Sequence, residues 1–166
     1  MEDFHKQKND FCKDCQFKFY CWGAKKMKEY HNFLKEELDN FEGKFPKYVL
    51  YIPEFFKLLC QLTEEDLTIE EKMKINSALA YFVIPNDVIP EDIYGPAGYI
   101  DNIYVCCHVL NDLKDKFTMK KLSEMWEGEE DFEKVLEISF RESKKELEEK
   151  DLLNEVLKVS SLVDEK

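Results

Sequence analysis

Arginine, glycine, proline and long apolar runs are all scarce in this sequence of 166 residues. Arg141 is its only arginine, so the bidentate guanidinium contacts that read phosphate and guanine are almost excluded. Five glycines and five prolines argue against collagen-like, low-complexity and multi-hairpin chains. The longest apolar run, Ala78 to Ile84, is far shorter than the roughly 20 residues of a membrane-spanning helix. We therefore expect a globular protein with no membrane span.

The charge balance is strongly acidic, with 24 basic and 36 acidic residues and a formal net charge of −12. Such a surface repels a phosphate backbone on average, so we do not expect a nucleic-acid partner. The N-terminus, Met1 to His5, lacks the basic and apolar parts of a signal peptide, which favours a cytoplasmic location. The length favours a single helical domain over residues 1–166.

Apolar residues recur at steps of three and four along most of the chain, which is the period of an amphipathic helix. No segment alternates long enough to need a strand. The period predicts an all-α fold, a compact bundle of six or seven helices. Thr68 and Glu71 predict a capping box at the start of the third helix, and the fourth helix, from Ile100, is apolar nearly all round and expected at the centre. The predicted inward face of the third helix is Ile69, Met73, Asn76, Ala80 and Val83.

A segment rich in proline and acidic residues joins the third and fourth helices. Its marked positions are Pro85, Asp87, Pro90, Glu91, Gly98, Asp101 and Asn102. This pattern resembles the YkvA-like family, domain of unknown function 1232, in which an apolar helix runs into Pro-x-Asp-x-Ile-Pro-Asp and a later Gly-x-x-Asp-Asp. Glu91 and Asn102 stand where that pattern has aspartate. The resemblance covers about residues 70 to 112 and implies a proline-cornered helical hairpin at 68–116, but no activity.

The acids of this loop have two interpretations. In the first they are structural: Asp101 caps the fourth helix from its first turn, and Asp87 accepts the backbone N–H of Ile89. In the second, Asp87, Glu91 and Asp101 bind a divalent cation such as Mg²⁺, Ca²⁺ or Mn²⁺, which prefer oxygen ligands. Asn102 removes one carboxylate, which argues against a two-metal hydrolase.

Three cysteines lie in the N-terminal segment 1–24, which is also rich in aromatic residues. Cys12, Cys15 and Cys21 have the spacing Cys-x2-Cys-x5-Cys, and a two-residue gap lets two thiolates reach one tetrahedral ion. Zinc is therefore one interpretation, and simple packing of three thiols is the other. The run also resembles the cysteine cluster of certain iron–sulfur nucleases, which implies an iron–sulfur cluster but carries no nuclease activity over. The residues that could supply a fourth ligand are His5, His31 and Cys60.

The remaining cysteines are predicted to be buried free thiols. Cys60, Cys106 and Cys107 lie on apolar helix faces, where a thiol behaves as a small hydrophobic group. Cys107 and His108 are adjacent on a helix, so they do not face each other as a nucleophile and its base. We identify no catalytic residue, and an enzyme is not favoured.

The C-terminal segment 127–166 is predicted to form acidic helices, with fourteen acidic and seven basic residues. We expect its apolar stripe to pack on the core and its acids to form a solvated face that favours a basic protein partner. The sequence thus favours a non-enzymatic interaction or accessory module. The alternative is a divalent-metal-dependent enzyme or metal-sensing module that uses Asp87, Glu91 and Asp101. The stripe consists of Phe132, Leu136, Phe140, Leu147, Leu153, Val156 and Leu157.

Overall fold

A computed structural model describes residues 24–84 and 88–162. Within these ranges every regular element is helical, which confirms the predicted all-α fold. Two 3₁₀ turns, Lys47–Tyr51 and Gly95–Tyr99, lead directly into longer helices. The α-helices are α1 (Ala24–Asp39), α2 (Ile52–Leu62), α3 (Ile69–Tyr81), α4 (Glu91–Tyr94), α5 (Ile100–Met125), α6 (Phe132–Glu149) and α7 (Leu153–Val159).

Several positions singled out in the sequence lie outside the described residues. They are Cys12, Cys15, Cys21, Pro85 and Asp87. The predictions that depend on them, the N-terminal metal site and the part of the loop around Asp87, therefore stay predictions.

Helix α5 lies at the centre of the molecule, as its apolar sequence predicts. All residues from Ile100 to Cys107 are buried, and α2, α3, α6 and α7 all contact this helix. Burying a helix on every side requires an apolar surface all round, which this stretch supplies. No helix in the described part of the chain combines the length and apolar character needed to cross a membrane.

Helix α5 is interrupted at Thr118, whose φ of 61° and ψ of 150° are not helical. The Thr118 hydroxyl accepts a hydrogen bond from the Lys121 N–H at 3.3 Å, so it satisfies a donor of the helical segment that follows. Residues 119–125 continue as a helix after this break. The helix ends at Trp126, whose indole N–H donates to the Glu130 carbonyl at 3.1 Å.

Helix α3 begins at the predicted capping box. The Thr68 hydroxyl accepts from the Glu71 N–H at 3.2 Å, and the Glu71 carboxylate accepts from the Thr68 N–H at 2.8 Å. The predicted inward face of this helix, however, is wrong, because Ile69 is 77% exposed and Met73 is 63% exposed. The helix has a second apolar face, which includes the aromatic ring of Tyr81, and this face packs on α5. The buried residues are Ile75, Ala78, Leu79 and Tyr81.

Helix α6 packs its apolar side along α5 and leaves its acidic side in solvent. Asp131 is its N-cap and accepts a hydrogen bond from the Lys134 N–H at 3.0 Å. Phe132, Leu136 and Leu147 are buried, and Phe140, Leu153 and Leu157 pack against the same core. The C-terminal stripe therefore packs on the core as predicted.

Candidate functional site

Two short helical turns build the loop between α3 and α5. Pro90 precedes α4 with an extended backbone, φ −70° and ψ 127°, a geometry that proline's fixed φ favours. Gly95 ends α4 with a φ of +60°, which glycine adopts without a steric penalty. Pro96 then starts the 3₁₀ turn that leads into α5. This arrangement places the start of α5 beneath the loop.

The loop is held to both helices through the carboxyl group of Asp101. Asp101 lies in the first turn of α5 and is fully buried. Its Oδ2 atom accepts hydrogen bonds from the Tyr81 hydroxyl at 2.7 Å and from the Ile89 N–H at 3.2 Å. One carboxyl oxygen thus joins the end of α3, the loop and the start of α5.

One prediction about the loop acids needs correction. Asp101 does not cap α5, because the N-cap residue is Tyr99 and no side chain makes a capping bond there. A capping acceptor belongs to the N-cap residue, whereas Asp101 is already the second residue of the helix. The Ile89 N–H, expected to donate to Asp87, donates to Asp101, and Asp87 lies outside the described residues.

Burial makes Asp101 an unusual acid. The pKa of Asp101 is raised from 3.8 to about 7, chiefly because burial disfavours the charged carboxylate. The hydrogen bonds from Tyr81 and Ile89 lower this pKa and the negative charge of Glu91 raises it, but burial dominates. The site can therefore hold or release one proton near neutral pH.

Gly98 allows the loop to pack backbone against backbone. A Cβ atom at this position would lie 2.5 Å from Glu91 Cα and 2.7 Å from Glu91 N, which is far inside normal van der Waals contact. Any larger residue at Gly98 would push α4 away from the start of α5. The glycine of the sequence pattern therefore has a direct steric cause.

The metal interpretation of these residues has only partial geometric support. Asn102 is fully buried, and neither its Oδ1 nor its Nδ2 atom has a hydrogen-bond partner within the described part of the chain. The Asp101 Oδ1 atom is also buried without such a partner there. Among the described residues, no three His, Cys, Asp or Glu side chains are grouped so that they could hold a metal ion. Since Asp87 is not described, the predicted set of three acids is not tested.

The described cysteines are free thiols within the apolar interior. Cys106 and Cys107 are fully buried, and burial raises the pKa of both thiols. Cys60 is partly buried, and burial raises its pKa to about 12. All three are thus neutral at physiological pH. His108 packs its ring 5.9 Å from that of Tyr104.

Tyr81 was missed by the sequence analysis, although it is the partner that fixes Asp101. It stands inside the apolar run from Ala78 to Ile84, and the sequence analysis gives it no role of its own. A buried tyrosine hydroxyl nearly always needs an acceptor. The sequence signal for this contact was a tyrosine in an apolar run, which needs an acceptor when buried, together with an acid at the start of the next long helix.

Comparisons with known proteins match the region of this loop. A family model described as "Protein of unknown function (DUF1232)" matches residues 71–107, a range that contains Tyr81, Gly98 and Asp101. The chain is 33% identical over 114 residues to an "Uncharacterized protein ORF9" of Methanothermobacter thermautotrophicus. That alignment covers 68% of this chain and 78% of the relative. No solved structure gives a significant match.

Proposed function

We propose, from the premise that this chain belongs to the DUF1232 family of proteins of unknown function, that it is a non-enzymatic interaction module. It binds a protein partner that carries a basic surface. The binding surface is the acidic face, which we define as Glu129, in the segment before α6, together with Glu133 and Glu137 of α6.

The observation that carries this proposal is that the three glutamates of the acidic face form no ion pair with a described residue. All three are exposed. Their neighbours differ, since Glu127 pairs with Lys57 and Glu130 pairs with Lys47 at 3.3 Å. Glu133 and Glu137 lie one turn apart on the same side of α6, so their charges add.

The position of α6 supports the same interpretation. Its opposite side, including Phe132 and Val135, is buried against the core, so the acidic face is fixed before a partner arrives. A preorganised surface loses less entropy on binding. Ile138, next to Glu137, is 45% exposed and offers an apolar contact of the kind that stable interfaces combine with charge.

Charge reversal at the acidic face tests the proposal. The test variant carries Glu129→Lys, Glu133→Lys and Glu137→Lys in the full chain. The matched control carries Glu29→Lys, Asp66→Lys and Asp115→Lys, which are exposed acids elsewhere and change the net charge equally. Asp131 is left intact because it caps α6.

Both variants and the unmodified chain serve as baits in extracts of the cells that make the protein, with captured proteins quantified by mass spectrometry. We expect the unmodified chain and the control to capture the same basic proteins, and the acidic-face variant to lose them. Equal capture by both variants, or capture of nucleic acid alone, would contradict the proposal.

The alternative function, a divalent-metal-dependent enzyme or metal-sensing module, is a second proposal with one supporting observation. The Asp101 Oδ1 atom is buried without a hydrogen-bond partner among the described residues, and a cation held with Asp87 and Glu91 would satisfy it. Calorimetric titration of the protein with Mg²⁺ and Mn²⁺ tests this. Saturable binding that Asp101→Asn abolishes would support it, and absence of binding both in calorimetry and in equilibrium dialysis would exclude it.

A further inference from the structure

A groove separate from the loop site lies between α1, α2 and the start of α3. Its volume is about 800 Å³, which is within the range of known ligand pockets. Helix α1 contributes Met27, Lys28, His31 and Asn32, and α2 contributes Phe56, Lys57, Cys60 and Gln61.

The floor of the groove is apolar. Phe56, Leu67 and Ile75 line it and are themselves buried, and Met27 adds a partly buried side chain. An apolar floor of this kind favours a ligand with an apolar body, because contact removes the ligand's apolar surface and the exposed part of Met27 from water.

Two polar atoms in the wall of the groove have no partner. His31 is only 9% exposed, and its Nε2 atom makes no hydrogen bond within the described part of the chain. The Oε1 atom of Gln61 is also buried and makes no hydrogen bond with a described residue. A buried polar atom without a partner costs free energy, and a bound ligand with a polar group would remove that cost.

The charge of the groove is opposite to that of the molecule. Lys28, Lys57 and Lys72 line it, against one acid, Glu64, in a chain whose net charge is −12. Lys57 pairs with Glu127, whereas Lys28 and Lys72 are exposed and form no ion pair with a described residue. The two lysines are therefore available to an anion.

We propose that this groove binds a small amphipathic carboxylate. The apolar body of the ligand lies along Met27 and the apolar floor, and its carboxylate lies near the lysines and accepts a hydrogen bond from the neutral imidazole of His31. Burial, together with the charges of Lys35 and Lys57, lowers the pKa of His31. Its imidazole is therefore neutral at pH 7 and able to donate or accept one hydrogen bond.

Isothermal titration of the full chain with decanoate tests the proposal, with decylammonium as the matched cation of equal chain length. We expect saturable binding of one decanoate and at least about tenfold weaker binding of decylammonium. Saturable binding is also expected to weaken by about tenfold in Lys28→Gln combined with Lys72→Gln. The control, Lys134→Gln with Lys158→Gln, changes two exposed lysines outside the groove and should bind as the unmodified chain does.

A second variant tests the buried end of the groove. His31→Phe removes the imidazole N–H that donates to the carboxylate and keeps a ring of similar size, so it should weaken decanoate binding, and its melting temperature checks that the variant folds. Three results would overturn the proposal. The first is that the full chain shows no saturable binding of decanoate, and the second is that decylammonium binds as well as decanoate. The third is that the groove variants and the control bind decanoate alike.

Discussion

Asp101 is held in place by two donors, yet its surroundings disfavour its charge. The Tyr81 hydroxyl and the Ile89 N–H both donate to Oδ2, while Oδ1 is buried with no partner in the described part of the chain. The hydrogen bonds fix the loop, and burial raises the pKa to about 7. The residue therefore couples the position of the loop to its own protonation.

This coupling predicts a pH dependence of stability. Because the pKa of Asp101 rises from 3.8 to about 7 on folding, the native state holds a proton that the unfolded state releases. Its contribution to the free energy of unfolding is full below about pH 4 and falls as the pH rises through about 7. Asp101→Asn removes this slope, whereas Asp66→Asn, an exposed acid, does not.

Urea unfolding at several pH values measures the effect. Between about pH 5 and about pH 8, the unmodified protein should lose more unfolding free energy than Asp101→Asn, by on the order of 1 kcal/mol or more. Parallel plots of unfolding free energy against pH for the two proteins would show that Asp101 has the same pKa in the folded and unfolded states.

Gly98 gives a second prediction for a single residue. Gly98→Ala places a methyl group against the backbone of Glu91, so the free energy of unfolding should fall by about 1–3 kcal/mol. Gly43→Ala is the matched control, because its methyl group would meet only the ring of Phe41, which is 39% exposed and free to turn. Equal losses in thermal or urea unfolding would refute the steric role of Gly98.

At the scale of elements, the sequence predicts helices well where two signals coincide. The capping box at Thr68 and the all-round apolar start of α5 each agreed with the structure, since local chemistry and burial point the same way. The predicted inward face of α3 was wrong. The apolar period shows which residues share a face of a helix, but α3 has two apolar faces, and packing against the neighbouring helices determines which of them is buried. The Tyr81–Asp101 contact joins two helices 20 residues apart in sequence, which no local pattern specifies.

The break in α5 predicts the outcome of a substitution. Thr118 has a φ of 61° and a ψ of 150°, a region nearly restricted to glycine and costly by about 1–3 kcal/mol for other residues. Thr118→Gly and Thr118→Ala both lose the hydroxyl that accepts from the Lys121 N–H, but only the glycine variant relieves the backbone strain. The glycine variant should be more stable than the alanine variant by about 1 kcal/mol or more in urea unfolding. The reverse order would mean that the break is not strained.

The distribution of charge distinguishes two regions of the whole molecule. Several acids of the C-terminal helices form ion pairs with lysines, such as Glu146 with Lys150 at 2.8 Å. The acidic face lacks such pairs, and the groove beside α1 collects lysines in a chain of net charge −12. Charge is thus separated on the surface, which favours one kind of partner at each region.

The association rate of a captured partner, measured against salt concentration, tests the proposed interaction most directly. Attraction between an acidic face and a basic surface weakens as salt screens it. From about 50 to about 500 mM salt, we predict that the association rate constant for the unmodified chain falls by about tenfold or more. The variant with Glu129→Lys, Glu133→Lys and Glu137→Lys should associate slowly at every salt concentration. A rate that does not change with salt, or that is the same for the unmodified chain and this variant, would contradict the account.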